Sequence, residues 1–122
     1  MAKDVELLSF NDGWIESVDL DGDKWFSMKS LTRAMNVDHH RAVRNARKNA
    51  LIKNEVALIT IEVEGTTVTQ RRQVVFMSEK VVLIWILTLV SYTDEAILLR
   101  MKLYDFVQNR LRKCAIRDPN RS

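Results

Sequence analysis

The first 26 residues alternate between hydrophobic and polar positions, and turn residues divide them into short strands. Val5 to Phe10 reads as one strand and ends at Asn11-Asp12-Gly13, residues that tolerate positive φ. Trp14 to Leu20 supplies a second strand, and Asp21-Gly22 favours a type I′ hairpin turn. A third strand begins at Lys24. The pattern therefore predicts an antiparallel hairpin region.

Two helical patterns follow, separated by three residues. Ser27 to Met35 carries apolar residues with a helical period, and a serine there can cap the helix. Asn36-Val37-Asp38 breaks the pattern, and His39 to Asn49 predicts a second helix. Its inner face is small and apolar, made of Ala42, Val43, Ala46 and Ala50. A helix, a tight polar turn and a basic helix with a small inner face are typical of a helix-turn-helix pair.

The second half begins with a change to a period of two. Residues 56–63 and 68–77 predict a long β-hairpin around a turn at 64–67. Ser78-Glu79 opens an apolar helix that continues to Val90. Thr93 can cap a last helix from Asp94 to Lys113. The predicted apolar stripe of this last helix is Ile97, Met101, Tyr104, Val107 or Gln108, and Leu111.

These elements predict an α+β fold. We expect a small sheet built from β-hairpins, a helix-turn-helix-like pair and two C-terminal helices. A chain of 122 residues is long enough for one core. Residues 1–117 are therefore interpreted as a single domain, and residues 118–122 as a short basic tail.

Charge is distributed unevenly along the chain. The net charge is only +3. Residues 1–28 nevertheless hold seven acids against two bases, residues 29–54 hold seven bases against one acid, and the remainder carries +2. The basic block coincides with the second predicted helix. An ordinary solvated helix face would look the same, but such asymmetry favours an oriented encounter with a polyanion or an acidic protein surface.

The residues needed for catalysis or metal binding do not form a recognisable set. His39 and His40 are adjacent, so on a helix they project about 100° apart and do not converge on one metal. Residues 19–23 resemble half of a calcium loop but lack the glutamate that closes it. No Gly-rich phosphate loop or nucleophile–base set is present. We therefore expect no metal, no cofactor and no enzymatic activity.

The basic helix is the strongest candidate contact surface. Its cations could contact phosphates, and its amide or imidazole groups could reach base edges. Two arginines on the second hairpin form a further candidate patch, although charges there can equally serve to block strand aggregation. The candidate partner- or DNA-binding residues are Arg33, His40, Arg41, Arg44, Asn45, Lys48, Arg71 and Arg72.

An apolar run at residues 81–90 predicts burial on all sides. In a chain this small, part of that burial can come from a second subunit. We therefore expect a homo-oligomer with the C-terminal helices at the interface, contributed by Trp85, Leu98, Leu99 and Leu103.

The same run has ten residues, about half of the ~20 that a membrane-spanning helix needs, so no membrane association is expected. Residues 1–6 lack the apolar core of a signal peptide. Cys114 is the only cysteine and can form no intramolecular disulfide. The expected location is the reducing cytoplasm.

Several segments carry a resemblance to a known family. Residues 14–18, 21–29 and 31–37 resemble the opening of temperate-phage antirepressor N-terminal domains and of the related BRO-type N-terminal domain. Ser78 to Val81 and Leu103 to Phe106 are similar to later parts of the same plan. The resemblance covers roughly residues 7–113. Asn36 stands where the family usually has glycine, and the C-terminal domain that many antirepressors carry has no counterpart in these 122 residues.

This resemblance implies a phage or prophage regulator in the cytoplasm of a bacterial host. Such an antirepressor binds a phage repressor, prevents operator binding and promotes the lytic switch. The BRO-type resemblance implies the alternative of direct binding to duplex DNA through residues 39–49. A further alternative is a phage inhibitor of another host or defence protein.

Overall fold

A computed structural model of the chain describes residues 4–11, 13–64, 69–89 and 93–116. Within these ranges the chain forms five strands, a short 3₁₀ helix and four α-helices. The strands are β1 (Glu6–Phe10), β2 (Gly13–Leu20), β3 (Asp23–Ser27), β4 (Val56–Glu64) and β5 (Thr69–Ser78). The α-helices are α1 (Met28–Met35), α2 (His39–Lys48), α3 (Glu79–Thr88) and α4 (Asp94–Ile116), and the 3₁₀ helix is Lys53–Glu55.

The five strands form one antiparallel sheet in the order β1-β2-β3-β5-β4. The two predicted hairpin regions are joined where β3 pairs with β5, with Phe26 opposite Met77. The long β4–β5 hairpin keeps a regular register from Val56↔Met77 to Glu64↔Thr69. The α+β prediction is therefore confirmed, and the sheet is continuous rather than divided into separate hairpins.

Turn residues adopt the backbone that their chemistry allows. Asn11, Asp21, Gly22 and Asn36 all have positive φ. Asp21 and Gly22 connect β2 to β3 at the position where the sequence predicted a type I′ turn. The predicted turn at 64–67 lies mostly outside the described residues, as does the predicted tail at 118–122.

Both ends of α1 are held by local hydrogen bonds. The Ser27 hydroxyl accepts the N–H of Ser30 at 3.2 Å and caps the N-terminus. At the C-terminus Asn36 is left-handed, at φ 56°. Its N–H donates to the carbonyl of Arg33, and the N–H of Val37 donates to that of Thr32. These two bonds form a Schellman motif, which ends α1 and turns the chain toward α2.

The main core lies between the sheet and the helices. Phe26 and Met77 from the central strands pack with Leu31 and Met35 of α1 and with the side chains of α3 and α4. Phe10 and Phe106 meet edge to face, with ring centroids 5.3 Å apart. A smaller apolar cluster, on the strand positions that alternate with the main core, contains Val18, Trp25, Ile59, Ile61 and Phe76. Both sets of alternating strand positions thus carry buried apolar side chains.

The C-terminal helices correct two predictions. Trp85 is 2% exposed and Leu103 0%, so this chain itself buries both residues, and neither is available to a second copy. On α4 the buried positions include Leu103 and Val107, whereas Met101 is 57% exposed. Within the predicted stripe, Val107 is buried and Tyr104 packs against the main core, but the assignment of Met101 to it was wrong. Because α4 carries apolar residues around most of its circumference, periodicity did not show that Leu103 is buried in place of Met101. The side chain of Leu111 lies outside the described residues.

The Ser27 cap generates a stability prediction. Replacing Ser27 with Ala removes the acceptor for the Ser30 N–H, and we expect a loss of about 1 kcal/mol in the free energy of unfolding. The matched control is Ser9→Ala on an exposed β1 position, which should change stability by less than about 0.5 kcal/mol. Urea unfolding followed by circular dichroism measures both. Equal effects of the two substitutions would contradict the capping role.

Candidate functional site

The outer face of α2 is entirely polar. Its six exposed residues fall within an arc of about 160° at 100° per residue, and they are His40, Arg41, Arg44, Asn45, Arg47 and Lys48. Four of the six are permanent cations and none is acidic. Ala42, Val43 and Ala46 on the opposite side are buried. We call these six residues the α2 face.

Local interactions fix α2 at both ends. The Asp38 carboxylate accepts the N–H of Arg41 at 2.8 Å, and its backbone carbonyl accepts the N–H of Ala42. The hydrogen bond from the Arg41 backbone keeps the pKa of Asp38 below its usual value, so this cap stays ionised. Arg47 and Lys48 lie in the last turn, where the helix dipole favours cations. The helix is therefore anchored independently of any ligand.

A groove of about 430 Å³ separates the α2 face from strand β5. Val43 and Val75 supply its apolar lining. The polar lining consists of the side chains of His39, His40, Arg44, Arg47 and Lys48. Three permanent cations and two imidazoles around one depression create a positive potential suited to an anionic group.

His39 connects this groove to α1. Its Nδ1 lies 3.3 Å from the Thr32 hydroxyl, which donates its own hydrogen to the Met28 carbonyl at 2.8 Å. With the Thr32 hydrogen on that carbonyl, the matching neutral tautomer of His39 carries its hydrogen on Nδ1 and leaves Nε2 as an acceptor. Partial burial, followed by the nearby charge of His40, lowers the pKa of His39 below its usual 6.5.

The structure separates the remaining basic candidates from the α2 face. Arg33 donates to the Trp14 carbonyl at 3.3 Å and lines a different cavity, of about 360 Å³, beside β1 and β2. Arg71 and Arg72 are adjacent on β5, so they project to opposite faces of the sheet. Arg71 is paired with Glu62 at 3.6 Å, while Arg72 lies opposite Ile61. The predicted second arginine patch is therefore divided between two faces.

The acidic N-terminal segment lies away from the α2 face. Glu6 on β1 and Asp19 on β2 contact Lys24 at 2.8 and 3.4 Å, and Asp23 contacts Lys80 at 3.0 Å. Strands β1 and β2 lie at one edge of the sheet. The groove beside α2 contacts β5, which lies beyond β3 toward the opposite edge. Three of the segment's seven acids, Glu6, Asp19 and Asp23, are thus compensated by lysines outside α2.

Sequence reasoning missed a cavity of about 510 Å³ between α2 and α3. Ala42 and Ala46 had been interpreted as residues that permit close helix packing. In the structure they line this space opposite Trp85 and Leu89. Two alanines one turn apart were the available signal, but sequence alone does not show whether a neighbouring helix fills the space that they leave.

Comparisons of the chain with protein-family models, with curated proteins and with solved structures gave no match. Among the residues that the structure describes, no group of three or more His, Cys, Asp or Glu side chains is placed to hold a metal ion. Within the same ranges, no helix has both the length and the apolar character required to cross a membrane.

The environment of His39 generates a pH prediction. The folded state lowers the pKa of this ring, so it favours the neutral form. The resulting stability is complete above the unfolded value of 6.5 and is lost as the pH falls below it and through the folded pKa. We expect the free energy of unfolding to decrease as the pH falls below 6.5, and His39→Gln to flatten this decrease. Because the pKa of Asp38 lies below 3.8, its titration falls outside this window. An identical pH slope in His39→Gln would contradict the assignment.

Proposed function

We propose that this protein is a transcription regulator that binds duplex DNA through the α2 face. The observation that carries the proposal is the concentration of four permanent cations, with no acid, on one exposed face of a capped helix that follows a tight turn. Phosphate neutralisation by Lys and Arg supplies most non-specific affinity for DNA. Asn45 and the arginines are the residue types that read base edges.

The dimensions of α2 suit this role. Ten residues make a helix about 15 Å long, and the major groove, about 12 Å wide, admits such a helix. The inner alanines and Val43 keep α2 on the core while the outer side chains remain free. In this arrangement Arg44 and Lys48 contact phosphates, and Asn45 faces the base edges.

The layout of charge supports DNA as the ligand. Carboxylates beside the basic helix would repel a polyanion, but Glu6 and Asp19 lie on strands β1 and β2, toward the opposite edge of the sheet from β5, and both pair with Lys24. A duplex can therefore approach α2 without meeting them.

An antirepressor is the second candidate, and exposed apolar side chains near α2 favour it. Leu51 is 74% exposed just after the helix, and Leu58 is 56% exposed opposite Val75, which lines the groove. A phage repressor would bury these leucines, whereas DNA would gain little from them. The resemblance to temperate-phage antirepressors supports the same partner. Either role belongs in the cytoplasm of a bacterial host.

The α2 face is tested by the triple substitution Arg41→Ala, Arg44→Ala and Lys48→Ala. All three side chains are exposed, so the fold should persist. The affinity for a labelled duplex is measured by fluorescence anisotropy at several salt concentrations. The slope of log K against log salt concentration should become shallower by about one for each phosphate contact removed. The matched control removes three charges elsewhere, through Arg33→Ala, Arg72→Ala and Lys102→Ala. If the two triple variants lost the same affinity for the duplex, the assignment of DNA binding to the α2 face would be refuted.

The variant Leu51→Ser, measured alongside, separates direct DNA binding from antirepressor activity. DNA binding predicts that this variant keeps its affinity for the duplex. Antirepressor activity predicts instead that the wild type releases a cognate repressor from its operator, and that Leu51→Ser releases it less well. Sequence-specific DNA binding with a nanomolar dissociation constant, measured without a repressor, would decide in favour of the DNA-binding role over the antirepressor role.

We also propose a homo-oligomer, with an interface that differs from the sequence prediction. Leu98 is 52% exposed on α4 and remains available, together with the half-buried Leu99, after Trp85 and Leu103 are assigned to the core. Light scattering at micromolar concentration should give a particle of at least twice 14.2 kDa. Leu98→Asp should reduce the particle to a monomer. Leu51→Asp, which places the same charge on an exposed leucine outside α4, should leave the oligomer intact. A wild-type monomer would contradict this proposal.

A further inference from the structure

The cavity between α2 and α3 combines a buried apolar floor with a polar rim. Ala42, Ala46, Ile52 and Trp85 are each no more than 5% exposed, and Leu89 completes the apolar lining. Its volume of about 510 Å³ lies in the range of small-molecule sites, which commonly occur between packed helices. We call it the α2–α3 cavity.

Some polar groups on the rim already have partners within the protein. The Thr88 hydroxyl donates to the Trp85 carbonyl at 2.7 Å, and the side-chain oxygen of Asn49 accepts the N–H of Leu51 at 2.8 Å. These hydrogen bonds hold the ends of α2 and α3 in place. They contribute to the shape of the cavity and leave those donor and acceptor atoms little capacity for a ligand.

Asp38, Arg41 and Asn45 on the rim also have polar atoms without a partner in the described part of the chain. One oxygen of Asp38 accepts the Arg41 N–H, which leaves the second oxygen unused. The Arg41 guanidinium and the Asn45 amide have no hydrogen-bond or ion-pair partner there. Asp38 and Arg41 therefore place an anion and a cation on the same rim without pairing them to each other within 4 Å.

We propose that the α2–α3 cavity binds a free α-amino acid with a large apolar side chain. The ligand's carboxylate pairs with Arg41, its ammonium group pairs with Asp38, and its side chain lies on the floor formed by Ile52, Trp85 and Leu89. Asn45 can donate to the carboxylate from the adjacent turn of α2. This arrangement satisfies each unpaired rim group with the charge that complements it, and it does not depend on what the α2 face binds.

Charge complementarity distinguishes this ligand from simpler apolar ones. A hydrocarbon ligand would leave both Asp38 and Arg41 unpaired. A ligand with a single charge would leave one of these two residues unpaired. Asp38 and Arg41 are exposed, so an unpaired rim charge keeps its water, and the ligand simply gains one charge-assisted contact fewer. A small molecule that carries both charges and an apolar group therefore uses the rim and the floor together.

The test is a titration of the ¹⁵N-labelled full chain, followed by NMR, with L-tryptophan as the probe. The expected result is a saturable shift of the Trp85 indole cross-peak, assigned with Trp85→Phe. Tryptamine, which lacks the carboxylate, and indole-3-propionate, which lacks the ammonium group, should each bind about 10-fold more weakly. Equal binding of all three compounds, or no shift with millimolar L-tryptophan, would overturn the proposal.

Variants locate the site and exclude a peptide ligand. Arg41→Gln should weaken L-tryptophan binding about 10-fold, and Ala46→Met should abolish it by filling the cavity. The exposed Arg41 variant keeps the test valid even where Ala46→Met disturbs packing. The control Arg44→Gln, on the same helix but outside the cavity, should bind L-tryptophan normally. Tighter binding of an N-acetylated peptide ending in tryptophan than of the free amino acid would assign the cavity to protein docking and overturn the proposal.

Discussion

The left-handed turn at Asn36 fixes the position of α2, on which both candidate surfaces depend. The two hydrogen bonds of its Schellman motif end α1, and two residues later the Asp38 carboxylate begins α2. Ala42, Val43 and Ala46 are smaller side chains than Met28, Leu31 and Met35 of α1 and bury less apolar surface. The caps and the turn therefore contribute much of what places the ten-residue helix α2. Asn tolerates this left-handed backbone at a smaller cost than other non-glycine residues, so Asn36 can end α1 without a glycine.

Acidic residues of β1, β2 and β3 pair with lysines outside α2, which leaves the cations of the α2 face free to bind an anion. Lys24 is largely buried between Glu6 and Asp19, and Lys80 pairs with Asp23, so the acidic segment uses bases from its own neighbourhood. Glu6, Asp19 and Asp23 thus pair with bases outside α2. The modest net charge of +3 therefore understates the positive potential at that helix. A surface of this kind gains affinity from the release of counterions and loses it in salt.

Periodicity and turn chemistry predicted the secondary structure well, because each signal depends on neighbouring residues. Asp21-Gly22, Ser27 and Asn36 act through their own backbone, and the alternation at residues 56–63 reflects the local pleat of a strand. The β3–β5 pairing joins residues about 50 positions apart and has no local signature. Trp85 and Leu103 were assigned to an interface because sequence does not show how much of an apolar helix its own chain covers. Alternation along a strand, in contrast, could have shown that Arg71 and Arg72 lie on opposite faces.

Arg41 belongs to both surfaces, and this shared position has a thermodynamic consequence. A guanidinium that pairs with a carboxylate in the α2–α3 cavity is not available to a phosphate on the α2 face. Each ligand would then weaken the other by the same factor, since linkage between two binding equilibria is reciprocal. Arg44 and Lys48 line the groove on the other side of the helix and contribute nothing to the cavity. The competition is therefore limited to the part of the affinity for DNA that Arg41 and Asn45 supply. An amino acid in the cavity would adjust binding to DNA without abolishing it.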